Sequence, residues 1–285
     1  MSKIQMNLHF TGNYGAQERA SVYPCWPSEH VEWVDHRTDY LVTVDEFNTL
    51  PESHKYNIAV LMEPRTLTPR NYEFVLQNKE RFNMIFSTYP DYGDGSNRFK
   101  YYAGGARSFV RPAERTIYPK THNIAAIVSG KRFLSGHVIR HVIREWHRAN
   151  NINKIDFINP PMDSKVSGLH PYRFELIIEN EDDCFFSEKI IDSLLTGCIP
   201  IYYTAKDTSY LNMFDLNGIA VITSLDQLEF TINSDMLNET FYNDRMDAIK
   251  HNFEVAQRYA SFGDVLWNSG LRELVEQNGG LCEVP

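Results

Sequence analysis

The sequence predicts an α/β protein of two lobes, each a parallel sheet wound with helices, and three observations carry that prediction. Short apolar runs of the kind that fill strands covered on both faces recur along the whole chain. Between them lie segments with helical spacing and recognisable caps, the alternation that a doubly wound sheet produces in sequence. The length, 285 residues, is long for one domain and sufficient for two that each bury a core.

In the first lobe, taken as residues 1–121, strands are expected near Ile4 to Phe10, Val31 to Val34, Asn57 to Met62 and Asn83 to Ser87. Thr68 and Pro69 supply an N-cap and a first-turn proline for a helix reaching about Asn78. Pro112 and Pro119 then bracket a basic, irregular connection, and the lobe boundary is placed near Thr121.

The second lobe, 122–260, opens with a buried strand from Asn123 to Val128. Gly136 to Ala149 reads as an amphipathic helix with Ile139, Val142, Ile143 and Trp146 towards the core and His137, Arg140, His141, Arg144 and Arg148 on the opposite face. Strands follow at Ile155 to Ile158, Phe174 to Ile178, Ile199 to Tyr203 and Ile219 to Ile222. Helical segments from Glu239 to Arg258 and Val265 to Gln277 close the chain, the last (261–285) expected to pack back across both lobes.

The net charge of −9 hides a polarised chain: twelve Lys and Arg between Arg98 and Lys154 face only Glu114 and Glu145. Such a segment suits an anionic ligand, or is simply a solvated surface. Cys25, Cys184, Cys198 and Cys282 have neither metal-ligand spacing nor disulfide-scaffold density. With no apolar stretch of bilayer length and no signal-peptide pattern in MSKIQMNLHF, a soluble, cytoplasmic protein that binds no membrane is expected.

Chemistry is expected in the run Tyr172 to Tyr203. Phe174 to Ile178 end at Glu179-Asn180, the carboxyl end where parallel sheets bind ligands. Ser187 can cap a helix whose first turn holds Glu188 and Lys189, with Gly197 just past its end. Helix openings at Gly136 and Ser187 offer backbone N–H groups to an anion such as phosphate, and Lys189 and Arg140 add positive charge there.

Glu179-Asn180, Ser187-Glu188-Lys189 and Gly197-Cys198-Ile199-Pro200 resemble the signature of family 10 of the glycosyltransferases, the α1,3-fucosyltransferases. MEPRTLTP at Met62 to Pro69 and FNMIFST at Phe82 to Thr88 are similar to that family's Glu-x-Pro and Phe-Asn-x-x-x-Ser segments. The resemblance implies a GT-B fold, two Rossmann-like lobes with a cleft between them. It implies an inverting, metal-independent transfer of L-fucose from GDP-fucose to a glycan, with no cofactor beyond the nucleotide-sugar co-substrate. By the same resemblance Arg140, Asn180, Ser187 and Lys189 bind the donor, Glu188 lies near its ribose or sugar, and Glu63 is the base for the acceptor hydroxyl. The absence of an anchor and stalk would suit a bacterial or viral member.

Two features depart from the family. Phe185 stands where a tyrosine is usual and cannot donate a hydrogen bond, and the spacer between Asn180 and Ser187 is short and carries Glu181, Asp182 and Asp183. Two other readings therefore stay open. One is a phage-type transferase placing a sugar, such as a pentose from a UDP-sugar donor, on a hydroxymethylated base of duplex DNA. The other is a non-catalytic module that binds glycan or nucleotide.

Overall fold

The computed structural model describes residues 3–9, 26–47, 54–102, 108–159, 165–181, 185–204 and 208–279. The chain forms two compact units, Met1–Arg107 with Arg258–Pro285, and Ser108–Gln257. The connection 108–121, grouped by sequence with the first lobe, belongs to the second unit. Thr116 donates its N–H to Leu195 O at 3.2 Å, and Lys120 Nζ donates to Thr196 O at 2.7 Å.

Among the described residues the first unit holds a six-stranded sheet built from β1 (Ile4–His9), β2 (Val31–Trp33), β3 (Tyr40–Val44), β4 (Tyr56–Leu61), β5 (Met84–Ser87) and β6 (Phe99–Tyr101), in the order β2-β1-β3-β4-β5-β6. Every pairing is parallel. β3 and β6 were not expected; YLVTV is buried throughout, as a central parallel strand requires. Helix α1 (Pro69–Gln77) begins, as expected, with its proline after Thr68.

The C-terminal segment belongs to this unit, and a buried carboxylate anchors it. Asp264 accepts hydrogen bonds from Ser28 Oγ at 2.5 Å, Glu29 N at 2.9 Å and Ser261 Oγ at 2.6 Å. The single helix expected over Val265–Gln277 is instead Phe262–Leu266 and Arg272–Gln277 around a wide turn, because Gly270 takes a left-handed φ of 128°.

The second unit contains β7 (His122–Ile127), β8 (Ile155–Ile158), β9 (Tyr172–Ile178), β10 (Ile199–Tyr203) and β11 (Ala220–Ile222), parallel throughout in the order β11-β10-β9-β7-β8. The chain leaves β7 for β8 on one side and returns to β9 on the other, so the switch point of the winding falls between β7 and β9. Phe174, Leu176 and Ile178 share one face of β9 with the core beneath helix α2 (Ser135–Ala149). Glu175 turns to the other face, towards helix α3 (Lys165–Leu169) and helix α4 (Glu188–Leu195).

The reading of α2 needs correction. His137, Arg140 and His141 are buried, whereas Val142, assigned to the core, is 49% exposed, as is Val138. The helix lays its polar residues over the carboxyl ends of the strands, where backbone groups are available to satisfy them. Glu239–Arg258 is also not one helix but two, Glu239–Asn243 and Met246–Gln257. Among the described residues, no helix is long and apolar enough to cross a membrane.

Candidate functional site

Four of the predicted site residues, Arg140, Asn180, Ser187 and Lys189, meet at the β7/β9 switch point, with Glu188 beside them. The approach of α2 to the turn after β9 is unusually close. Gly136 N donates to Asn180 O at 3.0 Å, and a Cβ on Gly136 would fall 1.8 Å from Glu179 O. Only glycine fits there.

One turn further along α2, Arg140 closes over the end of β9. Its Nε donates to Ile178 O at 2.9 Å, its Nη2 donates to the same carbonyl, and Nη2 also reaches Asn180 Oδ1 at 3.0 Å. Arg140 is thus no free surface cation but a buried clamp that orients the Asn180 amide. Burial lowers its pKa while Glu179 and Glu188 oppose that shift; a guanidinium stays charged regardless.

Glu179, 3% exposed, organises the opening of α4. Its Oε1 accepts from Ser187 N at 3.1 Å and its Oε2 from Ser187 Oγ at 2.6 Å. Lys189 Nζ bridges Glu179 Oε2 at 3.1 Å and Ser187 Oγ at 2.8 Å, while Ser187 Oγ caps the helix by accepting from Lys189 N at 3.5 Å. The first N–H groups expected to await an anion at Gly136 and Ser187 are therefore held by Asn180 O and Glu179. Lys189 stays partly open, with 21% of its side chain exposed.

Glu188 sits between two ammonium groups, Lys165 Nζ and Lys189 Nζ, each 3.9 Å from its Oε1. Burial alone would raise its pKa, but Lys189, Lys165 and Arg140 outweigh burial and hold the carboxyl below its ordinary value. Lys165 is in turn fixed by Asp192, whose Oδ2 it meets at 2.6 Å, and Asp192 Oδ1 accepts from Ser108 Oγ at 2.6 Å and Phe109 N at 2.8 Å. Glu188 and Asp192, four residues apart on α4, present one face to Lys165.

His137 lies among these cations, and its pKa is pushed down to about 4, first by burial and then by Arg140, Lys131 and Lys189. It is neutral at physiological pH. Its Nδ1 accepts the Leu134 N–H at 3.3 Å, so the ring proton belongs on Nε2.

Phe185 is buried, and Tyr202 OH, from the neighbouring strand β10, lies 3.4 Å from Glu179 Oε1. Of the acidic spacer, Glu181 is buried; Asp182, Asp183 and Cys184 lie outside the described residues, as do Cys25 and Cys282. Cys198 is buried, and burial pushes its thiol up, which suits an inert structural sulfur. Among the described residues no group of three His, Cys, Asp or Glu side chains is placed to hold a metal ion.

Five of the twelve cations are engaged within the fold. Arg98, Lys100 and Lys154 pair with Glu80, Glu273 and Asp235, at 2.8, 2.7 and 2.8 Å. Lys120 is turned onto backbone carbonyls and Arg140 is buried, while Arg107 lies outside the described residues.

Glu63 belongs to the first unit, exposed at the carboxyl end of β4. Its N–H donates to Asp45 Oδ2 at 2.9 Å and its carbonyl accepts from Tyr72 OH at 2.8 Å. Asp45, Glu179, Lys165 and Asp192 were not among the predicted site residues.

No family model matches the chain and no curated protein sequence does, so the family 10 resemblance gains no further support. Solved structures do match. HepE from Anabaena, determined with UDP-glucose, aligns over 97% of this chain and 99% of its own at 10% identity, TM-score 0.55. The chain has the GT-B glycosyltransferase fold. A glycosyltransferase from Rickettsia africae aligns equally far, at 10% identity and TM-score 0.54. A chain of the GtfA/B complex aligns over 83% of this one at 13% identity and TM-score 0.50, but this chain spans only 57% of its length.

Proposed function

We propose that this chain is a glycosyltransferase that holds a nucleoside-diphosphate sugar at the β7/β9 mouth of its second unit. The observation that carries the reading is the meeting of Arg140, Asn180 and Lys189 at the switch point of a GT-B fold. Clefts at such points are where open α/β sheets bind ligands. Lys189 is the group that leaves Glu179 for the diphosphate, and Arg140 holds Asn180 towards it. Glu188 accepts hydroxyls of the ribose or the sugar.

The reaction is an inverting displacement without a metal. The acceptor oxygen forms a bond to the anomeric carbon as the bond from that carbon to the diphosphate oxygen breaks. The acceptor proton passes to a carboxylate base, for which the family 10 resemblance gives Glu63, and the electron pair leaves with the diphosphate, whose charge Lys189 and Arg140 offset. On the family 10 resemblance the donor is GDP-fucose and the acceptor a glycan. HepE was determined with UDP-glucose, which makes UDP the competing nucleotide.

Thermal-shift titration with GDP, UDP, ADP and CMP tests the reading, since a ligand that binds only the folded chain raises its melting temperature. A selective response to GDP supports the fucosyl donor; a response to UDP alone redirects the donor; no response to any nucleotide removes the proposal.

A further inference from the structure

Lys165 comes to the β7/β9 mouth from α3, the helix after β8, and the proposed reaction leaves it without a role. Its Nζ meets Asp192 Oδ2 at 2.6 Å and lies 3.9 Å from Glu188 Oε1, so one ammonium spans two carboxylates a helical turn apart on α4. Asp192 is fully buried and tied down on its other oxygen, where Oδ1 accepts from Ser108 Oγ at 2.6 Å and from Phe109 N at 2.8 Å. The ammonium also sits over the Phe109 ring, 4.9 Å from its centroid. Lys165 is thus fixed by contacts that no donor has to displace. Lys189, the other lysine beside Glu188, is placed differently. Its partners are Glu179 Oε2 and Ser187 Oγ, and on the proposed function it leaves them for the diphosphate. Glu188 then shares Lys189 with the incoming anion, whereas Lys165, anchored on Asp192, stays.

We propose that Lys165 is a positioning residue for donor recognition: bridged to Asp192, it holds Glu188 ionised and in place to accept donor hydroxyls while Lys189 serves the diphosphate. The inference rests on the reading of Glu188 as the carboxylate that accepts ribose or sugar hydroxyls. Only an ionised carboxyl accepts on both oxygens, and hydrogen bonds to a charged acceptor are the strong ones. The charged groups that face Glu188 are Lys189 and Asp192 on its own helix, Lys165 on α3 and Arg140 on α2. Burial opposes the charge on Glu188, and the three cations restore it. Without Lys165 the carboxyl takes up its proton at higher pH, and its hold on a hydroxyl weakens.

The test is isothermal titration calorimetry of UDP-glucose and GDP-fucose into the full chain, from about pH 5 to pH 8. Lys165→Met alone strands the buried Asp192 without its cation, so the pair Lys165→Met/Asp192→Asn is measured beside it. The asparagine keeps an acceptor for Ser108 Oγ and Phe109 N, and the melting temperature checks folding. For the donor that the wild type binds, both variants are expected to bind about fivefold more weakly at neutral pH. Their affinity falls further towards acid pH, where that of the wild type holds. In a Glu188→Gln background Lys165→Met is expected to change affinity less than about twofold and to leave no pH dependence, because the lysine acts through that carboxylate. Affinity that ignores the loss of Lys165, or a loss that is undiminished in the Glu188→Gln background, overturns the positioning role alone. A wild type that binds neither donor takes away the proposed donors, and this inference with them.

Discussion

Lys189 Nζ lies 3.1 Å from Glu179 Oε2, and both groups also touch the hydroxyl of Ser187, the residue that caps the helix between them. A strand end, a cap and a first-turn lysine are thereby one hydrogen-bonded unit. The carboxylate is nearly inaccessible while the ammonium stays partly open, so an incoming anion meets the lysine first. Glu179→Gln takes the nearer of two counter-charges from the ammonium, leaving Glu188 at 3.9 Å, and weakens the cap. Removing one partner of a buried pair costs roughly 3–5 kcal/mol, and the exposure of Lys189 brings the expected loss down to about 2 kcal/mol by urea denaturation.

Arg140→Lys is not conservative here. A lysine can follow one carbonyl but cannot hold Ile178 O with two N–H groups and Asn180 Oδ1 at once. The variant is expected to lose about 2 kcal/mol, the scale of charged hydrogen bonds, and at least tenfold in turnover through the released Asn180. Unchanged turnover would remove Asn180 orientation from the account.

Gly136→Ala tests the packing of α2 on the β9 turn. With backbone oxygen 1.8 Å from the new Cβ, the helix start must move, at an expected cost of about 3 kcal/mol. A neutral substitution would mean that the two segments are not seated against each other as described.

Glu175 gives a pH signature. Burial raises it to about 8 against the opposing Lys165 and Ser193 hydroxyl, and Asp192 adds to the shift. Its folded pKa exceeds the unfolded value of about 4.5, so the native state holds the extra proton between these values. Wild-type stability therefore falls as pH rises through that window and levels off above it. Glu175→Gln removes the effect: its melting temperature gains on the wild type from pH 5 to pH 9, whereas parallel curves would show that Glu175 is already ionised in the fold.

The parallel strands β4, β5 and β7 to β11 were legible because buried parallel strands are unbroken apolar runs, and the cap at Ser187 because Ser-Glu-Lys after a polar turn is a helix start. The faces of α2 were not. Periodicity sorts residues by polarity, and at the switch point polar side chains are buried, since strand-end carbonyls such as Ile178 O give Arg140 its partners. Lys165 carried no local signal at all, because its place beside Glu188 comes from a different element. In the first unit Glu63 stood out at a strand end, but the hydrogen bond from its N–H to Asp45 depends on the pairing of β3 with β4, which no short motif encodes.

On the proposed function, the Arg140, Asn180 and Lys189 cluster binds a nucleoside diphosphate. Isothermal titration calorimetry of UDP and GDP into the wild type and Lys189→Ala, with folding of the variant checked by its melting temperature, tests it most directly. The wild type is expected to bind one nucleotide saturably, and the variant to bind it at least tenfold more weakly. Equal affinity for wild type and variant, or no binding of either nucleotide, would contradict it.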